Sequence, residues 1–95
     1  MTVIEVTCTP DGAGWTCTVD VRDPDGSATR HRVAVSAEDL DRLGPGATDP
    51  IDLVRRSFVF LLAREPKESI LAAFDLPVIG RFFPEFEAEI TRTTD

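Results

Sequence analysis

The sequence has no tyrosine, a single methionine, tryptophan and histidine, and only two cysteines in 95 residues. No apolar run approaches the ~18 residues a bilayer span requires, so a membrane helix is not expected. Two cysteines are too few for the disulfide framework of a small secreted domain. The N-terminus, MTVIEVTCTPDG, has no basic stretch followed by an apolar one, so no secretory signal is expected. A cytoplasmic protein with reduced thiols is therefore the expectation. Lysine is nearly missing as well: apart from Lys67 and His31, every basic residue is arginine. With abundant Asp, Ala and Val, that is the imprint of a GC-rich bacterial or haloarchaeal coding bias.

Acids outnumber bases by 17 to 10, for a net charge of −7 and a pI near 4.5. Such a field repels phosphate backbones at long range and disfavours nucleic acid as a partner. The 42% apolar content excludes a wholly disordered chain. The length suits one domain, 1–95, burying roughly 60–70% of its unfolded surface. A deep internal substrate cavity would be costly at that size.

The first 35 residues alternate with period 2. Ile4, Val6 and Cys8 share a face of strand 2–8, and Trp15, Cys17, Val19 and Val21 share a face of strand 15–22. PDGAG (10–14) between them is turn chemistry. If 11–14 form the loop, Cys8 faces Cys17, Val6 faces Val19 and Ile4 faces Val21, so the two apolar faces agree. DPDGS (23–27) suits a type I turn followed by glycine at positive φ. Strand ATRHRVAV (28–35) then turns His31, Val33 and Val35 inward and sets Arg30 opposite Asp20 on a solvated outer face.

At Ser36 the period changes. SAEDLDRLG predicts a short helix capped by Ser36, with Asp39 at its third position and Gly44 at its end. After the loop GPGATDP (44–50), Asp49-Pro50 opens a main helix over about 50–65. Its apolar stripe (Ile51, Val54, Phe58, Leu61, Leu62), widened by Leu53, Phe60 and Ser57, is too broad for a three-stranded sheet to hide, so other segments must cover it. A second helical segment is expected over 66–74. Beyond it, Gly80 and Pro84 divide the chain into two short pieces, roughly 76–82 and 84–91. The tail 91–95 is polar and expected to fray. The predicted fold is α+β: a three-stranded antiparallel meander (1–35) with a helical region (36–90) packed on one face.

Cys8, Cys17 and His31 fall on one sheet face and form the one set with metal or redox chemistry. They lack a tight C-x2–4-C knuckle and a fourth ligand. Packing as small apolar groups, with a cross-strand disulfide and zinc as alternatives, is the expectation. Asp23-x-Asp25-Gly26 resembles a fragment of a calcium loop, but Ala34 stands where the twelfth-position Glu belongs. Serine triads, a P-loop and a dinucleotide fingerprint are all missing from the sequence. Arg55, Arg56, Arg64 and Lys67 form a basic cluster among Asp52, Glu65 and Glu68, which predicts a salt-paired helix face.

All six phenylalanines lie between 58 and 86, and VIGRFFPEF concentrates them. Phe82, Phe83 and Phe86 are the candidate anchors of an exposed aromatic patch. Strand 2–8, at the sheet edge, offers a second route by strand addition. The run SFVFLLAREPKESILAAFDLPVIGRFFPEFEAEI (57–90) resembles a short bacterial protein family of unassigned function. Its members join an N-terminal strand region to a similar Leu-Leu-x-Arg-Glu-Pro…Ile-Leu…Phe-Asp-Leu…Phe-Pro-Glu stretch. The resemblance covers about a third of the chain and implies no catalytic residue. The expected function is a non-catalytic protein–protein interaction module without cofactor, binding another protein or a second copy of itself. The alternatives are an acidic regulatory or antitoxin-like partner of a basic protein, and a small enzyme using Cys8, Cys17 and His31.

Overall fold

The structure, a computed structural model, describes residues 2–44 and 49–91. The loop expected over 44–50 and the tail 91–95, expected to fray, fall largely outside these residues. The fold is α+β, with a mixed four-stranded sheet in the order β1-β2-β3-β4. The strands are β1 (Val3–Asp11), β2 (Gly14–Arg22), β3 (Ala28–Val35) and β4 (Ala73–Asp75).

Both expected registers form: Ile4 lies opposite Val21, Cys8 opposite Cys17, and Asp20 opposite Arg30. The β1–β2 loop is tighter than expected, because Asp11 already pairs with Gly14. Gly14 must be glycine for a packing reason. A Cβ there would collide with the Val35 carbonyl oxygen and sit 2.8 Å from Ser36 Cα. In the β2–β3 turn, Gly26 takes φ 92° and its N–H donates to Asp23 O at 3.0 Å. Any other residue type would be strained at that φ. Arg30 and Asp20 form the expected ion pair, 2.7 Å apart on the wet face.

The meander is only part of the sheet. β4 pairs parallel to β3, Arg32–Ala34 against Ala73–Asp75. Residues 66–74 are therefore not a helix. Only Lys67–Ser69 make a 3-10 turn, after which the chain runs extended to the sheet edge. Pairing with the open edge of β3 satisfies backbone groups that an isolated nine-residue helix would have to satisfy alone.

The helices are α1 (Ala37–Leu43), α2 (Pro50–Leu62), α3 (Ile79–Phe82) and α4 (Phe86–Thr91). Ser36 and Asp39 form the expected capping box, and Asp49 caps α2 by accepting from Ile51 N–H at 2.9 Å. α2 stops at Leu62, a turn short of the expected length, with Ala63 at its C-cap. Pro84 separates α3 from α4, as the sequence predicts. The core lies between the inner sheet face (Cys17, Val19, Val21, Val33, Val35) and the helices, which contribute Leu53, Val54, Phe58, Phe86 and others. Three arginines tie the helical segments to one another. Arg42 reaches Glu87 at 2.6 Å, Arg56 donates to Ile90 O at 3.1 Å, and Arg64 pairs with Glu85 at 3.1 Å while lying 3.6 Å over the Phe60 ring.

Candidate functional site: an apolar groove beside the fourth strand

The three candidate anchors separate. Phe82 is 65% exposed, Phe83 is half-buried, and Phe86 is 1% exposed. Phe86 meets Phe60 edge-on, ring centroids 5.2 Å apart, and so belongs to the core rather than to an exposed set. The cause is the break at Pro84. The spacing 79, 82, 83, 86, 90 is one stripe only if one helix carries it. Two helices point their residues independently, and α4 turns Phe86 and Ile90 inward.

Phe82 and Phe83 line a groove of about 340 Å3 that also takes in Leu61, Ile70, Leu71, Phe74, Val78 and Ile79. Glu65 and Ser69 supply its polar side chains. Leu71, 48% exposed, stands with Phe82 as one of two large apolar side chains left in water here. The volume falls at the low end of the range of small-ligand sites. The sequence alone does not single out Leu71 and Phe74 as anchors. They sit in the stretch expected to be helical, where Leu71 belongs to a covering stripe. The extended conformation leading into β4 instead leaves Leu71 at the surface.

Cys8, Cys17 and His31 share the inner sheet face, as expected, but do not converge on one point. Cys8 and Cys17 form a disulfide with Cα atoms 4.0 Å apart, correcting the expectation of reduced thiols. The facing register alone brings the sulfurs within reach. His31 is 2% exposed, and both its ring nitrogens are engaged: Nδ1 with Leu71 O and Nε2 with Thr29 Oγ1, each at 2.8 Å. The Leu71 carbonyl can only accept, so Nδ1 is the donor there, and the Thr29 hydroxyl partners Nε2. His31 thus fastens β3 to the segment before β4. Among the described residues no three His, Cys, Asp or Glu side chains converge as a metal site needs.

Three members of the basic cluster, Arg56, Arg64 and Lys67, make structural contacts, while Arg55 is exposed, and Lys67 is the notable member. Its side chain is 3% exposed, and Nζ donates to Asp23 Oδ2 and Ser27 Oγ at 2.6 Å and to Glu68 Oε2 at 2.8 Å. Its three N–H donors meet three acceptors, which is what a buried ammonium requires. The bonds to Asp23 and then Glu68 push the Lys67 pKa above its ordinary range. Lys67 and Thr2 hold the Asp23 carboxyl below its ordinary value, and Lys67 does the same for Glu68. The calcium-like Asp23-x-Asp25-Gly26 is thereby accounted for: it is a hairpin turn held by lysine, and Asp25 accepts from Ser27 N–H at 2.9 Å. No local pattern signals this clamp, because Lys67 and Asp23 are 44 positions apart.

No protein-family model, curated protein or solved structure matches the chain. No helix among the described residues is long and apolar enough to cross a membrane.

Proposed function

We propose that the protein is a non-catalytic interaction module that docks an apolar segment of another protein in the groove between Leu71 and Phe82. One observation carries this reading: of the four large apolar side chains left exposed among the described residues, Leu71 and Phe82, 48% and 65% exposed, flank one open apolar groove, whereas Val3 and Val59 lie outside it. Isolated exposed residues need no explanation, but a paired set around a concavity marks a binding surface. The net charge of −7 favours a partner whose docking segment is flanked by basic residues, since complementary fields speed encounter and exclude acidic competitors. The acidic-partner role expected as an alternative uses the same charge and merges with this reading. The thiol- or metal-dependent alternative finds no support, because the groups it needs are bonded to each other or to Leu71 and Thr29.

The disulfide is what an oxidising compartment preserves. We place the module where the Cys8–Cys17 bond persists. The docking test uses tagged wild-type protein beside a Leu71→Ser, Phe82→Ser double variant, both exposed to lysate of the native host. A basic protein held in stoichiometric amount by the wild type and lost by the folded double variant supports the reading. Identical retention by both, or no retained protein, overturns it.

A further inference from the structure

We propose that the free edge of β1 pairs with β1 of a second copy, joining two sheets into one through a two-fold axis at Val6. β1 is an end strand of the sheet, nine residues long, whereas β4 at the other end has three. The direction of its unpaired backbone groups can be worked out from its neighbours. Arg32 N–H donates to Ala72 O at 2.8 Å, so Arg32 turns its backbone away from β2. Val33 must then turn toward β2, where it faces Cys17. Cys17 is thereby committed to β3, and the Cys8–Cys17 pair is of the non-hydrogen-bonded kind. Its Cα separation of 4.0 Å fits the close spacing of that kind and not the ~5.5 Å of the other.

Ile4, Val6 and Cys8 therefore aim both N–H and C=O at the open edge. Pro10 shares their parity, so the N–H it lacks is one that β2 never needed, as an edge proline requires. These groups are self-complementary in one antiparallel register. With Val6 opposite Val6 of the second copy, Ile4 meets its Cys8 and every free N–H of the three residues finds a carbonyl. On the outer face Glu5 then lies opposite Thr7 of the second copy. Sliding the partner by two residues one way sets Glu5 against its own copy, a like-charge pair that is disfavoured. Sliding it the other way sets Ile4 against Pro10 and strands the Ile4 carbonyl. A two-fold axis perpendicular to the sheet keeps both inner faces on one side, so Ile4 and Val6, only half-buried in one copy, meet apolar neighbours across the seam.

The test uses the full chain with its disulfide intact. Sedimentation across a concentration series is expected to show a dimer, and amide exchange is expected to show Ile4, Val6 and Cys8 protected at high concentration and exposed on dilution. Thr7 is on the exposed outer face, so its variants leave the core alone. Thr7→Glu should weaken the dimer by about 2- to 30-fold and Thr7→Arg should tighten it similarly, because each change acts twice against Glu5. The Leu71→Ser, Phe82→Ser variant should dimerise as the wild type does, which separates this surface from the groove. A species of 10.4 kDa at every concentration, a dimer whose Ile4, Val6 and Cys8 amides exchange freely, or Thr7 variants that shift affinity in the same direction would each overturn the proposal.

Discussion

Replacing Phe86 and Phe82 separately by alanine should divide the aromatic segment into a load and a lure. Phe86 is 1% exposed and packs edge-on against Phe60 at 5.2 Å, so Phe86→Ala empties a ring-sized volume in the core. Buried Phe→Ala changes cost about 3–5 kcal/mol. Against a total of roughly 5–15 kcal/mol, that removes a fifth or more of the stability. At about 4–8 °C per kcal/mol for a domain this size, the melting temperature should fall by roughly 12 °C or more. Phe82 is 65% exposed, so about a third of its area is buried. Full burial of such a side chain contributes about 1.5–3 kcal/mol, and a third of that is about 0.5–1 kcal/mol. Alanine's higher helix propensity at the end of α3 offsets part of even this. Urea unfolding followed by circular dichroism and Trp15 fluorescence gives both values. If Phe82→Ala costs as much as Phe86→Ala, Phe82 is packed, and the docking proposal loses its anchor.

Gly14→Ala should destabilise by about 1–3 kcal/mol, because the new methyl group must displace the Val35 carbonyl and Ser36; thermal melts check it. Denatured, unreduced protein should show no free thiol in a colorimetric titration; reduction should weaken the fold by about 2.5 kcal/mol, the chain-entropy value for so short a loop, without abolishing it. Lys67→Met should loosen the 23–27 turn and remove part of the acid sensitivity. Asp23 and Glu68 have lowered pKa values, so their pairing is complete above the ordinary values of 3.8 and 4.5 and is lost as pH falls through the lower folded ones. Lys67 acts in the opposite sense: its raised pKa means its contribution is complete below the ordinary 10.5 and is lost only as pH rises past the folded value. Acid titration of stability should therefore be steeper for the wild type than for Lys67→Met, and equal slopes would contradict the clamp.

The parts of this fold legible in the sequence are those set by local rules. Period-2 alternation across two short turns determines which residues of β1, β2 and β3 face one another, down to the Asp20–Arg30 pair. Ser36, Asp39, Asp49, Pro50 and Pro84 mark helix ends through their own chemistry. The parts that are not legible are decided at long range. β4 exists because β3 offers an open edge about 40 residues away, which no propensity of Ala73–Asp75 encodes. Phe82 and Phe86 differ because two short helices pack independently, a fact invisible to spacing. Register places Cys8 opposite Cys17, but their oxidation state is not local information: the expected compartment points to thiols, and the geometry that brings the sulfurs together gives a disulfide.

The most direct measurement is hydroxyl-radical footprinting of dilute, isolated protein, read side chain by side chain. Phe82 and Leu71 should oxidise rapidly, Phe83 and Phe74 more slowly, and Phe58 and Phe86 scarcely at all. Phe82 reacting as slowly as Phe58 would mean that the groove is closed in solution, and the docking account would fail.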